Sequence, residues 1–511
     1  MLFGRCTVAC GLAAFCSLAT GTVIPRYFQT EPISRRDLPL GTIQMELGSM
    51  LSKHAAIFGP SDPRWEMATE RYSTHAIPRV QVVTQPGVES DIPKIVKYCN
   101  ENSIEFMVVN QAHARAYSVG NFDGMEIDMA LLRDIKIQPD KKSAWFQGGT
   151  FDGQVIDYLW DRGFITMTGS CSCVGMMGPG LGGGHGRLEG YYGLISDNLI
   201  NINLVLADGS AIQVNETSYP DLLWGIKGAG HNFGIVTSFE LKIYPHGAPL
   251  WHYHNYIWTQ DRLETVFEEL NNLHKNGSTP LPMAVEFGYF TFNSTISQTE
   301  PVISWTFGYR GTARDAEKLL APFNKIGAAW DESGDVPYSQ IPDVQGTGLN
   351  GPLCVNNMTH ITSTANLQVF NVTIERQIYE TYVKWVKKYP EFNTAEITHE
   401  GYSNKAIRNF NPDDSAFPSR YDNHLVLFDM VIPHGSNLRE PAQAFADEVR
   451  DLWNAGQPTR PPTAYVNYAN GFEGVTEIYG PEAWRLEKLR GLKAKYDPHN
   501  RFRFYIPIIT N

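Results

Sequence analysis

Between Gly169 and Gly193 the chain runs Gly-Ser-Cys-Ser-Cys-Val-Gly-Met-Met-Gly-Pro-Gly-Leu-Gly-Gly-Gly-His-Gly-Arg-Leu-Glu-Gly-Tyr-Tyr-Gly. Glycines at this density, opening on a cysteine, describe a backbone that passes very close to something large and flat, because only residues without a Cβ allow so near an approach. A flavin has that shape. Other chemistries fit the same residues less well. Gly178-Pro179-Gly180-Leu181-Gly182-Gly183 matches the dinucleotide pattern G-x-G-x-x-G, yet no amphipathic helix follows, and the next acid after Glu189, Asp197, stands in an Asp-Asn turn. A cysteine protease built on Cys171 would need a positioned base, and none accompanies it. Cys171-x-Cys173 lacks the second ligand pair of a zinc site, so no metal site is expected. A purely structural glycine loop is the competing interpretation.

The elements around this stretch must hold it against its ligand. Upstream, Arg79 to Val83 is strand-like, and Ile92, Ile95, Val96 and Cys99 fall on one face of a helix between Glu89 and Asn102. Phe106 to Val109 and Met125 to Met129 follow as short strands. Thr150 then caps a helix with Val155, Ile156 and Leu159 inward and Gly163 after its end. Phe164 to Met167 delivers the chain into the glycines. Downstream, Ile202 to Leu206 and Ala211 to Val214 form a hairpin about Asp208-Gly209, Asp221 to Lys227 is helical, and Gly234 to Leu241 is a strand. Beyond Gly247 the pattern changes. Strands are expected at Trp251 to Trp258, Met283 to Phe292, Val302 to Tyr309 and His424 to Ile432. Helices are expected at Asp261 to Lys275, Arg314 to Ile326, Glu375 to Lys388 and Leu438 to Ala455, the mark of an antiparallel sheet covered on one face.

With 511 residues and 42% hydrophobic content, the chain can build two or more full-sized cores. A net charge of −12 argues against nucleic acid or an anionic membrane as partner, and a small or neutral ligand fits better. Met1 to Gly21 reads as a secretory signal peptide, with an early Arg5 and an apolar run, and no later run is long enough to span a bilayer. Sequons at Asn215, Asn276, Asn293, Asn357 and Asn371 agree with a secreted protein carrying N-glycans. Of seven cysteines, the mature chain keeps Cys99, Cys171, Cys173 and Cys354, whose pairing the residues leave open.

A resemblance sharpens this picture. Gly169-Ser170-Cys171-Ser172-Cys173-Val174-Gly175, Leu181-Gly182-Gly183-Gly184, Tyr192-Gly193-Leu194, Asp197-Asn198, Ala207-Asp208-Gly209, Asp221-Leu222-Leu223-Trp224 and Asn232-Phe233-Gly234-Ile235-Val236-Thr237 follow one another as in FAD-linked oxidases with the para-cresol-methylhydroxylase-type flavin domain. Tyr465-Val466-Asn467-Tyr468 and Lys495-Tyr496-Asp497-Pro498-His499-Asn500-Arg501-Phe502-Arg503 resemble the tail of the berberine bridge enzyme-like branch. The resemblance implies an α+β fold: a two-subdomain FAD-binding domain over 74–247, a substrate domain with a helix-covered antiparallel sheet over 248–460, and a segment, 461–511, that returns to the first domain. Residues 22–73 are an N-terminal arm.

It also implies FAD attached twice, through His113 and Cys171, with Cys173 as the fallback thiol. Flavin contacts would come from Asn110, Gln111, Ala112, Ala114, Val174, Gly175, Gly178, Leu181, Gly182, Gly183, Gly184, Gly234, Ile235, Val236, Tyr465 and Asn467. The sequence departs from the family at Gln111-Ala112, where two glycines are common and where an alanine constrains φ. Val174 takes the place of a residue that governs oxygen access to the ring. By the same resemblance Tyr468 sits at the flavin's reactive face, and His185 stands where an imidazole can act as a base near neutral pH. Asp429 is a second candidate base, since an acid on the strand face of Leu427 and Val431 is unusual unless that face lines a pocket. The expected function is a secreted FAD-dependent oxidase that takes hydride from a small organic substrate, a biosynthetic intermediate or a sugar, and is reoxidised by dioxygen to give hydrogen peroxide. An FAD-containing cyclase without net redox chemistry is the alternative, and a cofactor-free binding module a third.

Overall fold

The structure, a computed structural model, describes residues 39–509. The signal peptide, and the arm as far as residue 38, lie outside them. Three apolar cores organise the chain. The first joins strands Arg79–Gln85, Phe106–Val109 and Asp123–Asp128, which pair in parallel, to Ala56–Phe58 at the edge, where the pairing is antiparallel. Helix Ile92–Glu101 covers this sheet and buries Ile92, Ile95, Val96 and Cys99 completely, the face that the spacing predicts.

The second core lies under an antiparallel five-stranded sheet, ordered Ile135–Ile137, Ser143–Gln147, Ile235–Lys242, Leu199–Val205 and Ala211–Val214. Helix Asp152–Trp160 feeds the glycine stretch, but Thr150 does not cap it. Phe151 holds the cap position, and the Thr150 hydroxyl donates back to the Gln147 carbonyl. The C-terminal segment packs into this same core through Tyr465, Leu489, Ile506 and Ile508. Lys493 clamps it there: its buried ammonium donates to the carbonyls of Asn232 and Phe502 and to Asp497.

The third core belongs to a seven-stranded antiparallel sheet, ordered Trp330–Val336, Trp251–Trp258, Val302–Tyr309, Met283–Thr291, Ala395–Tyr402, His424–Ile432 and Thr359–Leu367. Helices Leu263–His274, Ala313–Ile326, Val372–Lys388 and Arg439–Ala455 cover one face, packing Phe267, Phe323, Ile378 and Phe445 against Trp305, Ile397 and Phe428. Side chains alternate across a strand. The opposite face therefore carries Phe287, Tyr289, Glu396, Thr398, Glu400, Tyr402, Leu427 and Asp429, and it looks into a cavity shared with the first two units. Strand 330–336 has no apolar alternation, and in 359–367 and 395–402 the alternation is reduced to Ile361, Ala365 and Leu367 and to Ala395 and Ile397, interrupted on the same face by Ser363 and His399. Among the described residues, no helix is long and apolar enough to cross a membrane.

Candidate functional site

One cavity is lined by residues of all three units. The loop after strand Phe106–Val109, the residues Phe502, Phe504 and Tyr505, and the open face of the seven-stranded sheet all contribute to it. His113, Cys171 and Val174 stand along its course, together with Asn110, Gln111, Ala112, Ala114, Gly175, Gly178, Leu181, Gly234, Tyr465, Asn467, Tyr468, His185 and Asp429. Gly182, Gly183, Gly184, Ile235 and Val236 are not among its lining residues. A Cβ on Gly182 would meet the Asn467 side chain at 2.3 Å, and one on Gly183 would meet the Phe417 ring at 2.6 Å. These glycines let the C-terminal segment and the Phe417 loop close over the stretch. Part of the glycine density therefore serves packing within the protein.

The cysteines sort themselves by partner. Cys173 and Cys354 form a disulfide, which removes Cys173 as a fallback anchor, while Cys171 keeps a free thiol beside it and Cys99 is buried in the first core. The Cys173 sulfur lies 3.5 Å from His113 Nε2 and 3.6 Å from the Cys171 sulfur, so the imidazole and the free thiol stand no more than about 7 Å apart. Burial, and then the charge of Arg115, push the His113 imidazole down to about 3, which keeps it neutral. Burial pushes the Cys171 thiol up to about 11. The cysteine loop is held rigidly: Arg187, buried, donates to the Ser170 carbonyl, to Thr347 and to Gln345, and the Gly153 amide donates to the Ser172 carbonyl.

His113 stacks on Tyr72 at 3.8 Å, and Tyr72 stacks in turn on His360 at 4.2 Å. Asp429 secures this stack. It accepts from His360 Nδ1 at 2.7 Å and pairs with Arg115 at 3.0 Å, and Arg115 also donates to the Tyr72 hydroxyl. Burial alone would raise the Asp429 carboxyl, but Arg115 and His360 outweigh it and hold it below the usual carboxylate range. A carboxylate so well partnered is a poor proton acceptor, and its evident work is to position Arg115 and the stack.

Glu400, which hydrophobic patterning does not single out, has the stronger geometry for a base. It accepts a hydrogen bond from Tyr468 at 2.7 Å and one from Tyr402 at 3.0 Å. Burial raises its carboxyl despite these two phenols. Tyr468 is itself driven well above the ordinary tyrosine range, first by burial and then by the Glu400 charge, so it stays a hydroxyl. The signal that could have found Glu400 is the spacing Glu396-x-Thr398-x-Glu400-x-Tyr402, four polar groups on one strand face.

His185 directs Nδ1 to Glu189 at 2.9 Å, which leaves Nε2 buried on the cavity side with no partner among the described residues. Burial would lower this imidazole, but Glu189, with help from Glu400, raises it. Tyr465 accepts the His185 amide at 3.2 Å and the Asn467 side chain at 2.6 Å, so the C-terminal segment locks the end of the glycine stretch.

Residues 80–215 match the FAD binding domain family model, and residues 464–509 match the berberine and berberine-like model. FAD-linked oxidoreductase iacH of Pestalotiopsis fici is 50% identical over 512 residues, covering 99% of this chain and 98% of that protein. FAD-linked oxidoreductase OXR2 of Pyricularia oryzae is 49% identical over 510 residues, covering 98% of each. This chain belongs to the berberine bridge enzyme-like family of FAD-linked oxidoreductases. Among solved structures, a chitooligosaccharide oxidase superposes with a TM-score of 0.76 at 18% identity, over 92% of this chain and 99% of that one. The glucooligosaccharide oxidase of Acremonium strictum gives 0.74 at 18%, over 92% and 100%. At such identity these likenesses establish the fold.

The cavity of this berberine bridge enzyme-like oxidoreductase suits FAD. It is lined by both the Asn110–Arg115 loop and the open sheet face, it carries a neutral imidazole and a free thiol that share Cys173 as a neighbour, and Asn110 leaves its buried Oδ1 without a partner among the described residues. Ala112 adopts φ +52°, the left-handed region that an alanine occupies at a cost. Ala112→Gly is therefore expected to stabilise the protein by about 1 kcal/mol, read as a raised unfolding midpoint. An unchanged or lowered midpoint would show that the loop is not strained.

Proposed function

We propose that this FAD-dependent oxidoreductase is a secreted oxidase of a small hydroxylated organic compound, a biosynthetic intermediate or a sugar, with its flavin attached through both His113 and Cys171 and reoxidised by dioxygen to give hydrogen peroxide. The observation that carries this reading is the Glu400 carboxylate, hydrogen-bonded by Tyr468 and Tyr402, facing the same cavity as the His113 and Cys171 pair. Bound FAD supplies the hydride acceptor and the route for electrons to oxygen. The chain supplies the rest. Phe287, Tyr289 and Leu427 give the substrate an apolar wall. Glu400, directly or through the Tyr468 hydroxyl, takes the proton of the substrate O–H as the C–H bond breaks. His185 Nε2 offers a second polar contact to a substrate oxygen.

Double attachment is supported by the free thiol at Cys171 and by the disulfide that occupies the neighbouring Cys173. The 6-S-cysteinyl, 8α-N1-histidyl FAD of the Acremonium strictum glucooligosaccharide oxidase is a precedent on the same fold. Acid precipitation followed by peptide mapping tests it. Flavin should stay with the precipitate and link the peptides bearing His113 and Cys171. Flavin released wholly into the supernatant would overturn both attachments. Secretion is tested on the same preparation, which should be recovered from the medium with its N-terminus near Thr22. Among the sequons, Asn276, Asn357 and Asn371 stand exposed, while Asn215 and Asn293 are half-buried.

A further inference from the structure

Outside the lining of the cavity, on the strand next to the edge of the seven-stranded sheet, two imidazoles sit in an unusual environment. His252 and His254 lie two residues apart on strand Trp251–Trp258 and so share a face, the one covered by helix Ala313–Ile326. Both are buried, at 4% and 5% exposure. Every ring nitrogen of the pair faces a carboxylate. His252 Nε2 is 2.9 Å and His254 Nδ1 2.8 Å from the same oxygen of Glu317, which reaches in from the helix. The remaining nitrogens turn to the edge strand Trp330–Val336, His252 Nδ1 to Asp335 at 2.7 Å and His254 Nε2 to Asp331 at 3.1 Å.

A neutral imidazole has one N–H and one lone pair, so in the neutral state each ring must set a lone pair against a carboxylate oxygen. The arrangement asks for positive charge between the rings and Glu317. Among the described residues no lysine or arginine pairs with the cluster: its other contacts are the Tyr256 hydroxyl, 2.9 Å from His254 Nδ1, and Asn324, which accepts from Tyr256 and donates to the second Glu317 oxygen.

We propose that His252 Nε2, His254 Nδ1 and Glu317 bind a divalent first-row transition ion, of which zinc is the probe of choice. Two imidazoles and one carboxylate form a common ligand set for such ions. The three donor atoms lie within 4.8 Å of one another, close enough for small side-chain rotations to close them around one ion. The neighbours complete the arrangement. With the ion on the inner nitrogens, the outer nitrogens carry the protons and donate to Asp335 and Asp331, which is the carboxylate–histidine–metal relay that fixes ring orientation in metalloproteins. Glu317, a third exposed, leaves a side open to a water ligand and a path for entry. The ion would tie the edge strand, its neighbour and the helix together, and it lies outside the proposed oxidase chemistry.

The flavin-loaded protein, stripped with a chelator and desalted, should take up one zinc per chain by elemental analysis, and its unfolding midpoint should rise. Cobalt(II) in place of zinc should give visible ligand-field bands that zinc abolishes. Glu317→Gln, which keeps the size of the side chain and removes its charge, should lose at least tenfold in affinity. Asp335→Ala, at the exposed strand edge where misfolding is least expected, should lose roughly 10- to 100-fold by freeing the His252 ring. No uptake by the stripped wild-type protein, or uptake that survives both substitutions unchanged, would overturn the proposal and leave the cluster a proton-bound ion network.

Discussion

Glu400→Gln is expected to lower kcat/KM by roughly 10²- to 10⁴-fold while leaving the flavin attached and the fold intact. The amide is the same size, its oxygen still accepts from Tyr468, and its N–H can donate to the Tyr402 hydroxyl oxygen where the carboxylate accepted from it, so the loss isolates the proton-accepting role. The pH dependence supplies the second readout. A base works as carboxylate, burial raises the Glu400 carboxyl, and activity is therefore lost as pH falls through a value above the ordinary glutamate range. That acidic limb should vanish in the variant. An enzyme that keeps wild-type kcat/KM and its acidic limb after the substitution would remove Glu400 from the proton path. Asp429 would then return as the candidate only if Asp429→Asn abolished activity without disturbing flavin attachment.

Lys493→Met should destabilise the protein by about 3–5 kcal/mol, measured by chemical denaturation, because it leaves the fully buried Asp497 carboxylate unpaired. The loss reaches further than one ion pair. Asp497 accepts the amides of Arg501 and Phe502, and Lys493 holds the Asn232 and Phe502 carbonyls, so the lysine joins the C-terminal segment to the glycine-rich unit. Phe502 and Phe504 line the cavity, and flavin retention should fall with stability. Lys495→Met is the control: its exposed pair with Asp221 is screened by water and should matter little. Equal effects from the two substitutions would mean that the buried clamp is not what holds the segment.

Helices with an apolar face, such as 263–274 and 439–455, were legible in the sequence because burying one side of a helix imposes a period of 3.6. Strand His424–Ile432 was legible as a long apolar run. Strand Ala395–Tyr402 was not, since its cavity face is Glu396, Thr398, Glu400 and Tyr402 and its other face includes His399, which is buried against Glu375. Polar side chains satisfied by distant partners leave no local pattern, and Glu400 was hidden for that reason. Thr150 shows the same limit in a loop: its hydroxyl had a better partner behind it than the helix ahead.

The family, the flavin-binding class, and the presence of a histidine and a cysteine at matching loops could be read from residue order alone, because those rest on short contiguous motifs whose backbone requirements are local. Which cysteine is free required the folded chain, since the Cys173–Cys354 disulfide spans 181 residues. So did the finding that Asp429 is held by Arg115 and His360 while Glu400 faces two phenols. A carboxylate's chemistry depends on the charges and donors within a few ångströms, and here these come from strands, loops and a returning C-terminus far apart in the chain.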